Sequence, residues 1–412
     1  RNRDWKRGFN SLIMRKFILP LLLLSSLMVL NSCGESYPNA PEKKQNTKEE
    51  NAEAKTISKT NDMNVYVHFM PWFETDKTNN GKWPFHWTMN TRDPNVVDVT
   101  GKRQIASHYY PLTGPYASGD AAILDYQCLL MKYCGVDGVM VDWYGINSDN
   151  DIAKHKSNTE ALAKAIAKAG LKMTIVYEDS PLADVSDKVS QARQDVRYLA
   201  ETFFHKDFYV KVEGRPLLMI FGPQQLLTGK DWYRVFSVLK TKPMFLCLNG
   251  HSGRANGDGY TNADGEFSWV NPTPDYSVAS KFKMYIAGAM PGFKDYYKEG
   301  GAGNGYTSYD AENGALFQRQ LDAAKKSGLK WLQISTWNDY GEGTTIEPTR
   351  EYGYKYLTML QKFMGVSYTQ ADLELIYRWY QLRVAEPNSP RTQQAYDALV
   401  RLDVAKAKEI LK

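Results

Sequence analysis

From residue 64 onward the apolar positions gather into short runs separated by amphipathic stretches. The runs are Val65–Met70, Gly138–Val141, Met173–Tyr177, Leu217–Phe221, Met244–Leu248, Phe267–Val270, Met284–Ala289 and Trp331–Thr336. Each is short enough to be a strand buried on both faces. Between them, segments such as Asn158–Ala169, Ser186–Phe204 and Asn313–Ser327 repeat their apolar residues at helical spacing. This alternation argues for parallel β/α units. Eight such units over about 300 residues predict a (β/α)8 barrel of the TIM type. An open, doubly wound α/β sheet is the main competitor, but no G-x-G-x-x-G follows the first run to favour it. The barrel domain is read as residues 63–366. After Gly365 the pattern changes: residues 367–412 read as a helical extension of two or three amphipathic helices, broken at Pro387–Pro390. It carries no ligand-type cluster and is either structural or interaction-bearing.

The first 33 residues read as an address. Met14-Arg15-Lys16 opens a basic region, and Phe17–Leu30 is an apolar stretch of 14 residues. A spanning helix needs about 20 residues, whereas a signal-peptide core needs roughly 7–15. The stretch ends in Leu30-Asn31-Ser32-Cys33, which resembles a bacterial lipobox; a plain secretory signal with an incidental cysteine is the alternative. On the lipobox reading, Cys33 carries the lipid, and residues 1–13 are upstream sequence. Residues 34–62 are rich in Pro, Asn, Lys and Glu and poor in apolar side chains, so they are expected to form a flexible tether. The expected location is the cell envelope, lipid-anchored to the (outer) membrane after the signal peptide is removed. Contact with the membrane is expected through the anchor only.

Charge sharpens this picture. The formal net charge of +5 lies entirely within residues 1–32, so the remaining 380 residues are neutral by the same count. A neutral body without a basic run lacks the footprint of a nucleic-acid binder. Cys128, Cys134 and Cys247 show no metal-type spacing and read as buried thiols, with a Cys128–Cys134 bridge as a minor alternative. No cofactor and no metal is expected, and the chain is expected to be a monomer.

In a barrel, chemistry collects at the C-terminal ends of the strands. Those ends carry Trp72 and Glu74, Asp142-Trp143-Tyr144, Glu178-Asp179, Asn249 and His251, Trp269 and Asn271, Phe293, and finally Trp337-Asn338-Asp339-Tyr340-Gly341-Glu342 followed by Glu347. Aromatic residues make up 13% of the chain, and at this rim they recur beside carboxylates. A carboxyl group can serve as proton donor, base or nucleophile. Flat aromatic faces suit the C–H face of a sugar ring, while polar neighbours bond its hydroxyls. Paired acids in an aromatic pocket therefore predict glycoside hydrolysis, with a polysaccharide or oligosaccharide as the partner. Any single carboxylate is as readily explained by a salt bridge or a helix cap; the joint pattern carries the reading. There is no H-E-x-x-H, G-x-S-x-G or G-x-x-x-x-G-K-[ST]. Asn262-Ala263-Asp264-Gly265-Glu266 does not fit the twelve-residue calcium pattern. Gly300–Gly305 reads as an anion cradle or as a mobile loop over the cleft.

The string Ser335-Thr336-Trp337-Asn338-Asp339-Tyr340-Gly341-Glu342-Gly343-Thr344-Thr345-Ile346-Glu347-Pro348 resembles the signature of glycoside hydrolase family 99. That family comprises endo-acting α-mannosidases and α-mannanases on a (β/α)8 barrel, with two catalytic glutamates three apart. The second matches Glu342, whereas the first falls on Asp339, one methylene shorter. Trp337-Asn338-Asp339-Tyr340-Gly341-Glu342 also resembles the related family 71, which cleaves α-1,3-glucan. Weaker similarities are Met70-Pro71-Trp72-Phe73, Asp137–Tyr144 (with Asp142 where the family has Ser) and Val176-Tyr177-Glu178-Asp179, whose family glutamate lines the cleft. The resemblance covers about residues 64–360. It implies that Glu342 protonates the leaving oxygen and that Asp339 assists the sugar 2-hydroxyl in attacking its own anomeric carbon. The shorter arm of Asp339 leaves a second route open, in which a water enters for single-step inversion. It further implies substrate contacts from Trp72, Asp142, Trp143, Tyr144, Glu178, Trp269, Trp337, Asn338, Tyr340 and Glu347. Other readings of the same residues are an α-glucanase or debranching enzyme, a surface lipoprotein that captures glycan without cutting it, and a structural lipoprotein with a degenerate site.

Overall fold

The computed structural model describes residues 53–147 and 150–412. Eight strands, β1 (Asn64–Phe69), β2 (Gly138–Trp143), β3 (Lys172–Tyr177), β4 (Arg215–Ile220), β5 (Met244–Leu248), β6 (Gly265–Phe267), β7 (Met284–Ala289) and β8 (Trp331–Ile334), run parallel in chain order. The ring closes where β8 pairs with β1, Val65 opposite Leu332 and Val67 opposite Ile334. The fold is the (β/α)8 barrel that the apolar runs predict. The sixth strand lies earlier than its apolar run. At Gly265 a side chain would meet the Met284 backbone carbonyl, so close packing rather than apolarity sets that strand, and Trp269 falls beyond its end.

Alternation along each strand divides the barrel into two environments. Val65, Val67 and Phe69 of β1, and Val139, Val141 and Trp143 of β2, join the apolar core shared with the helices. Inside, a polar layer crosses the ring: His68 Nδ1 lies 3.2 Å from Gln333 Oε1, and Gln333 Nε2 donates to Ser268 O at 3.1 Å. The helices are α1 (Ala121–Tyr133), α2 (His155–Ala169), α3 (Lys188–Leu199), α4 (Gly229–Phe236), α5 (Ala315–Lys326) and α6 (Lys355–Met364). Asp120 starts α1 by accepting the Ala122 and Ile123 amides, and Gly170 in the left-handed region ends α2.

The extension forms α7 (Gln370–Ala385), α8 (Pro390–Val400) and α9 (Val404–Ile410). A reciprocal Thr369/Asp372 capping box opens α7. It lies against α1, with Tyr380 4.9 Å from Tyr126 between ring centroids. The expected signal segment, Cys33 and most of the expected tether lie outside the described residues. Its last stretch is docked on the barrel: Thr60 N donates to Met364 O at 3.1 Å, and Lys59 Nζ meets Asp137 at 2.7 Å. Cys128, Cys134 and Cys247 are buried free thiols, so the alternative 128–134 bridge is not formed. Among the described residues no helix is long and apolar enough to cross a membrane.

Candidate active site

The last strand delivers the carboxylate pair through a tightly reversed loop. Past Ile334 the chain turns at Thr336, whose hydroxyl accepts the Asp339 amide at 2.8 Å. Asp339 Oδ1 in turn accepts the Glu342 amide at 3.0 Å, so the first acid of the pair fixes the backbone of the second. The loop then folds back on itself: Thr336 N donates to Thr344 O at 2.9 Å and Glu347 N to Trp337 O at 3.0 Å. Asp339 and Glu342 are buried at 4% and 6% exposure. The loop after β7 is zipped to this one, with Lys294 N donating to Glu342 O at 3.0 Å and Tyr296 N to Gly341 O at 2.9 Å. From that neighbouring loop the Tyr297 hydroxyl donates to Glu342 Oε1 at 3.0 Å. Burial, with the nearby charges of Glu342 and Asp339, pushes the Tyr297 phenol well above its ordinary value. Tyr297 is therefore a fixed proton-bearing donor.

A second sector lies at the ends of β1, β2 and β3. His68 Nε2 is 3.7 Å from Asp142 Oδ1, and Tyr144 hydrogen-bonds Asp142. Burial, then Asp142 and Glu178, push the Tyr144 phenol upward. Glu178 accepts from Gln224 Nε2 at 3.1 Å. Trp72 stacks on His86 at 4.2 Å, within 4° of parallel, and lies 6.3 Å from Tyr144. His86 is paired with Asp151 at 3.3 Å. Trp269 meets His68 edge-on at 4.6 Å. Trp72, Tyr144 and Trp269 keep part of their surface open, as a sugar platform requires.

Other residues of the expected binding set face away from solvent. Trp143 is fully buried and stacks on Tyr198 in the outer layer. Trp337 is fully buried in the main core. Asn338 takes the Met70 amide on Oδ1 at 2.8 Å and returns Nδ2 to the Met70 carbonyl at 3.0 Å, which ties the loop after β8 to the strand end bearing Trp72. Tyr340 packs among Phe73, Trp87 and Tyr116. Glu347 is 1% exposed and accepts from Gln127, Tyr116 and Tyr340. Asn262 and Glu266 of the loop weighed for calcium are taken up by backbone: Asn262 Nδ2 bonds the Gly229 and Ala255 carbonyls, and Glu266 accepts the Gly250 and Ser252 amides. The start of the Gly300–Gly305 segment is docked, with Asn90 bonding the Gly300 and Gly301 carbonyls.

Sequence reading missed Tyr297, His68 and Tyr116. The signal for Tyr297 was a pair of tyrosines in the loop that follows the seventh strand, and for His68 a single polar residue inside an apolar run.

Residues 60–244 match the family model described as Glycosyl hydrolase family 99. The chain is a glycoside hydrolase. Its matched span holds Trp72, Asp142, Tyr144 and Glu178, and ends before the last-strand loop. It is similar to a glycoprotein endo-alpha-1,2-mannosidase-like protein of Danio rerio, 22% identical over 71% of this chain and 71% of that one. A glycoprotein endo-alpha-1,2-mannosidase of Xenopus laevis is 25% identical over 67% of this hydrolase and 65% of its own length. The fold is also that of a GH99 endo-alpha-mannosidase structure from Bacteroides thetaiotaomicron, with a TM-score of 0.59 at 20% identity over 77% of this chain and 99% of that one. A solved glycoside hydrolase-like protein gives a TM-score of 0.54 at 15% identity, over 76% of this chain and 98% of that one.

Proposed function

We propose that this hydrolase cleaves an α-mannosidic glycan from within the chain, with Glu342 as general acid and Asp339 as the assisting carboxylate. The observation that carries the reading is the buried pair on one backbone-locked turn, with Tyr297 donating to Glu342. A proton passes from Glu342 to the leaving oxygen as the glycosidic bond breaks. Asp339 draws the proton from the sugar 2-hydroxyl, which closes on the anomeric carbon; water then opens that ring, giving its proton to Glu342 as base while Asp339 returns its proton to the 2-oxygen. Trp72, Tyr144 and Trp269 supply the apolar faces, while Asp142 and Glu178, each 1% exposed, hold the Tyr144 and Gln224 side chains. The names of the curated relatives support the α-mannoside over an α-1,3-glucan. We also propose attachment to the cell envelope through Cys33, on the strength of the lipobox-like Leu30–Cys33.

The test is a product screen of residues 34–412 on α-mannans and α-1,3-glucans, with Glu342→Gln alongside. We expect oligosaccharides from mannan, reduced by a factor of about 1,000 or more in the variant. Release from glucan alone would overturn the substrate class. Binding to mannan without release from the unaltered chain would overturn catalysis in favour of capture, and an equally active Glu342→Gln would overturn the assignment of the acid.

A further inference from the structure

Glu347 has the look of a substrate contact in the sequence, but its surroundings assign it another task. Each of its carboxylate oxygens is already taken: Gln127 Nε2 donates to Oε1 at 2.7 Å, and the Tyr116 and Tyr340 hydroxyls donate to Oε2 at 2.8 Å each. The residue is 1% exposed, so no sugar hydroxyl reaches it without displacing one of these donors. A carboxylate in such a place is costly unless each lone pair is used. Here the partners come from three parts of the fold: α1, the loop before it, and the catalytic loop itself.

The arrangement brackets Asp339. On one side, Tyr340 is held by its hydroxyl on Glu347. On the other, Asn338 Nδ2 donates to the Tyr116 hydroxyl at 3.2 Å, the same hydroxyl that donates to Glu347. Asn338 also holds both backbone polar groups of Met70, two residues before Trp72. One buried charge thus organises both neighbours of Asp339 and, through them, the backbone that presents Glu342. We propose that Glu347 is a positioning residue, which holds the Asp339–Glu342 turn in register with the β1 end without touching the substrate. This rests on the catalytic reading given above.

The test uses Glu347→Gln, Tyr116→Phe and the double variant. Four quantities are read: hydrogen exchange of the peptide spanning 336–347, kcat and KM on α-mannan, and melting of the native chain. In Glu347→Gln we expect exchange in that peptide to quicken at least tenfold. We expect kcat to fall about 10- to 100-fold, the range in which outer partners act on a site, with KM within threefold. Tyr116→Phe is the milder change should Glu347→Gln fail to fold, and it is expected to lower kcat in the same way by a smaller factor. The double variant is expected to lose no more than Glu347→Gln alone, because both act through one network. Unchanged exchange and kcat in folded variants would overturn the proposal. A rise in KM that accounts for the whole loss would overturn it in favour of substrate contact. If the unaltered chain hydrolyses no mannan, the catalytic reading fails by itself, and the exchange result alone decides whether Glu347 holds the turn.

Discussion

Glu347 also has a signature in stability. Burial raises its carboxyl to about 7 from an ordinary value of 4.5, despite the hydrogen bonds from Gln127, Tyr116 and Tyr340. Below about pH 4.5 the group is protonated both folded and unfolded, and contributes no dependence. Between 4.5 and 7 the unfolded chain would release the proton that the folded one keeps, so stability falls as pH rises through this window and levels off above it. The size is on the order of 3 kcal/mol. Urea denaturation from pH 4.5 to 8 is expected to show this decline in the unaltered chain and to lack it in Glu347→Gln; parallel curves would refute it. The residues that carry this site were unevenly legible. The acids three apart in Asp339-Tyr340-Gly341-Glu342 stand out in the sequence as a candidate pair, and the structure brings them together on one buried turn. The burial of Trp337, Asn338, Tyr340 and Glu347 was not legible, because a loop that doubles back on itself hides which side chains face inward; Trp143, the last residue of β2, turns to the outer layer instead of the barrel mouth. Tyr297 reaches Glu342 from 45 positions away, a separation that no local pattern records.

At the scale of elements, the strands were visible because both of their faces are buried, one against helices and one inside the ring, so little polarity interrupts them. The strand pair Asn256–Gly257 and Tyr260–Thr261 was not, since its Gly and Asn residues resemble plain loop. The seam between the β7 and β8 loops depends on Gly343. Its φ is +67°, and a Cβ there would sit 2.4 Å from the Lys294 carbonyl oxygen. Gly343→Ala must move the backbone whose next-door amide contact, Lys294 to Glu342 O, holds the acid. We expect a loss of about 1–2 kcal/mol from the positive φ alone and a kcat reduced at least tenfold on mannan. Denaturation midpoints and turnover matching the unaltered chain within error would show that the seam yields without consequence.

For the whole molecule, the extension of residues 367–412 was legible as helices but not as part of the core. Leu373, Ile376, Trp379 and Leu399 are buried, the Tyr133 hydroxyl donates to Leu399 O at 3.0 Å, and the Tyr377 hydroxyl donates to Leu112 O at 2.9 Å. Burying large apolar side chains contributes roughly 1.5–3 kcal/mol each. A chain ending at residue 366 is therefore expected to melt at least about 10 °C lower and to bind a hydrophobic dye. Melting within about 2 °C of the full chain would mean that the helices are a detachable module.

The union of β8 with β1 bears on when the protein can act. A ribosome delivers Trp72 and the β1 end first, and Asn338, the group that satisfies the Met70 backbone, arrives 268 residues later. Until then the first strand has an open edge, and neither acid has a floor to stand on. On the proposed reading of that pair, activity is a report of a finished circle: a nascent, truncated or half-threaded chain carries Trp72 but not the Asp339–Glu342 turn. The protein cannot digest glycan in any compartment through which it passes unfolded.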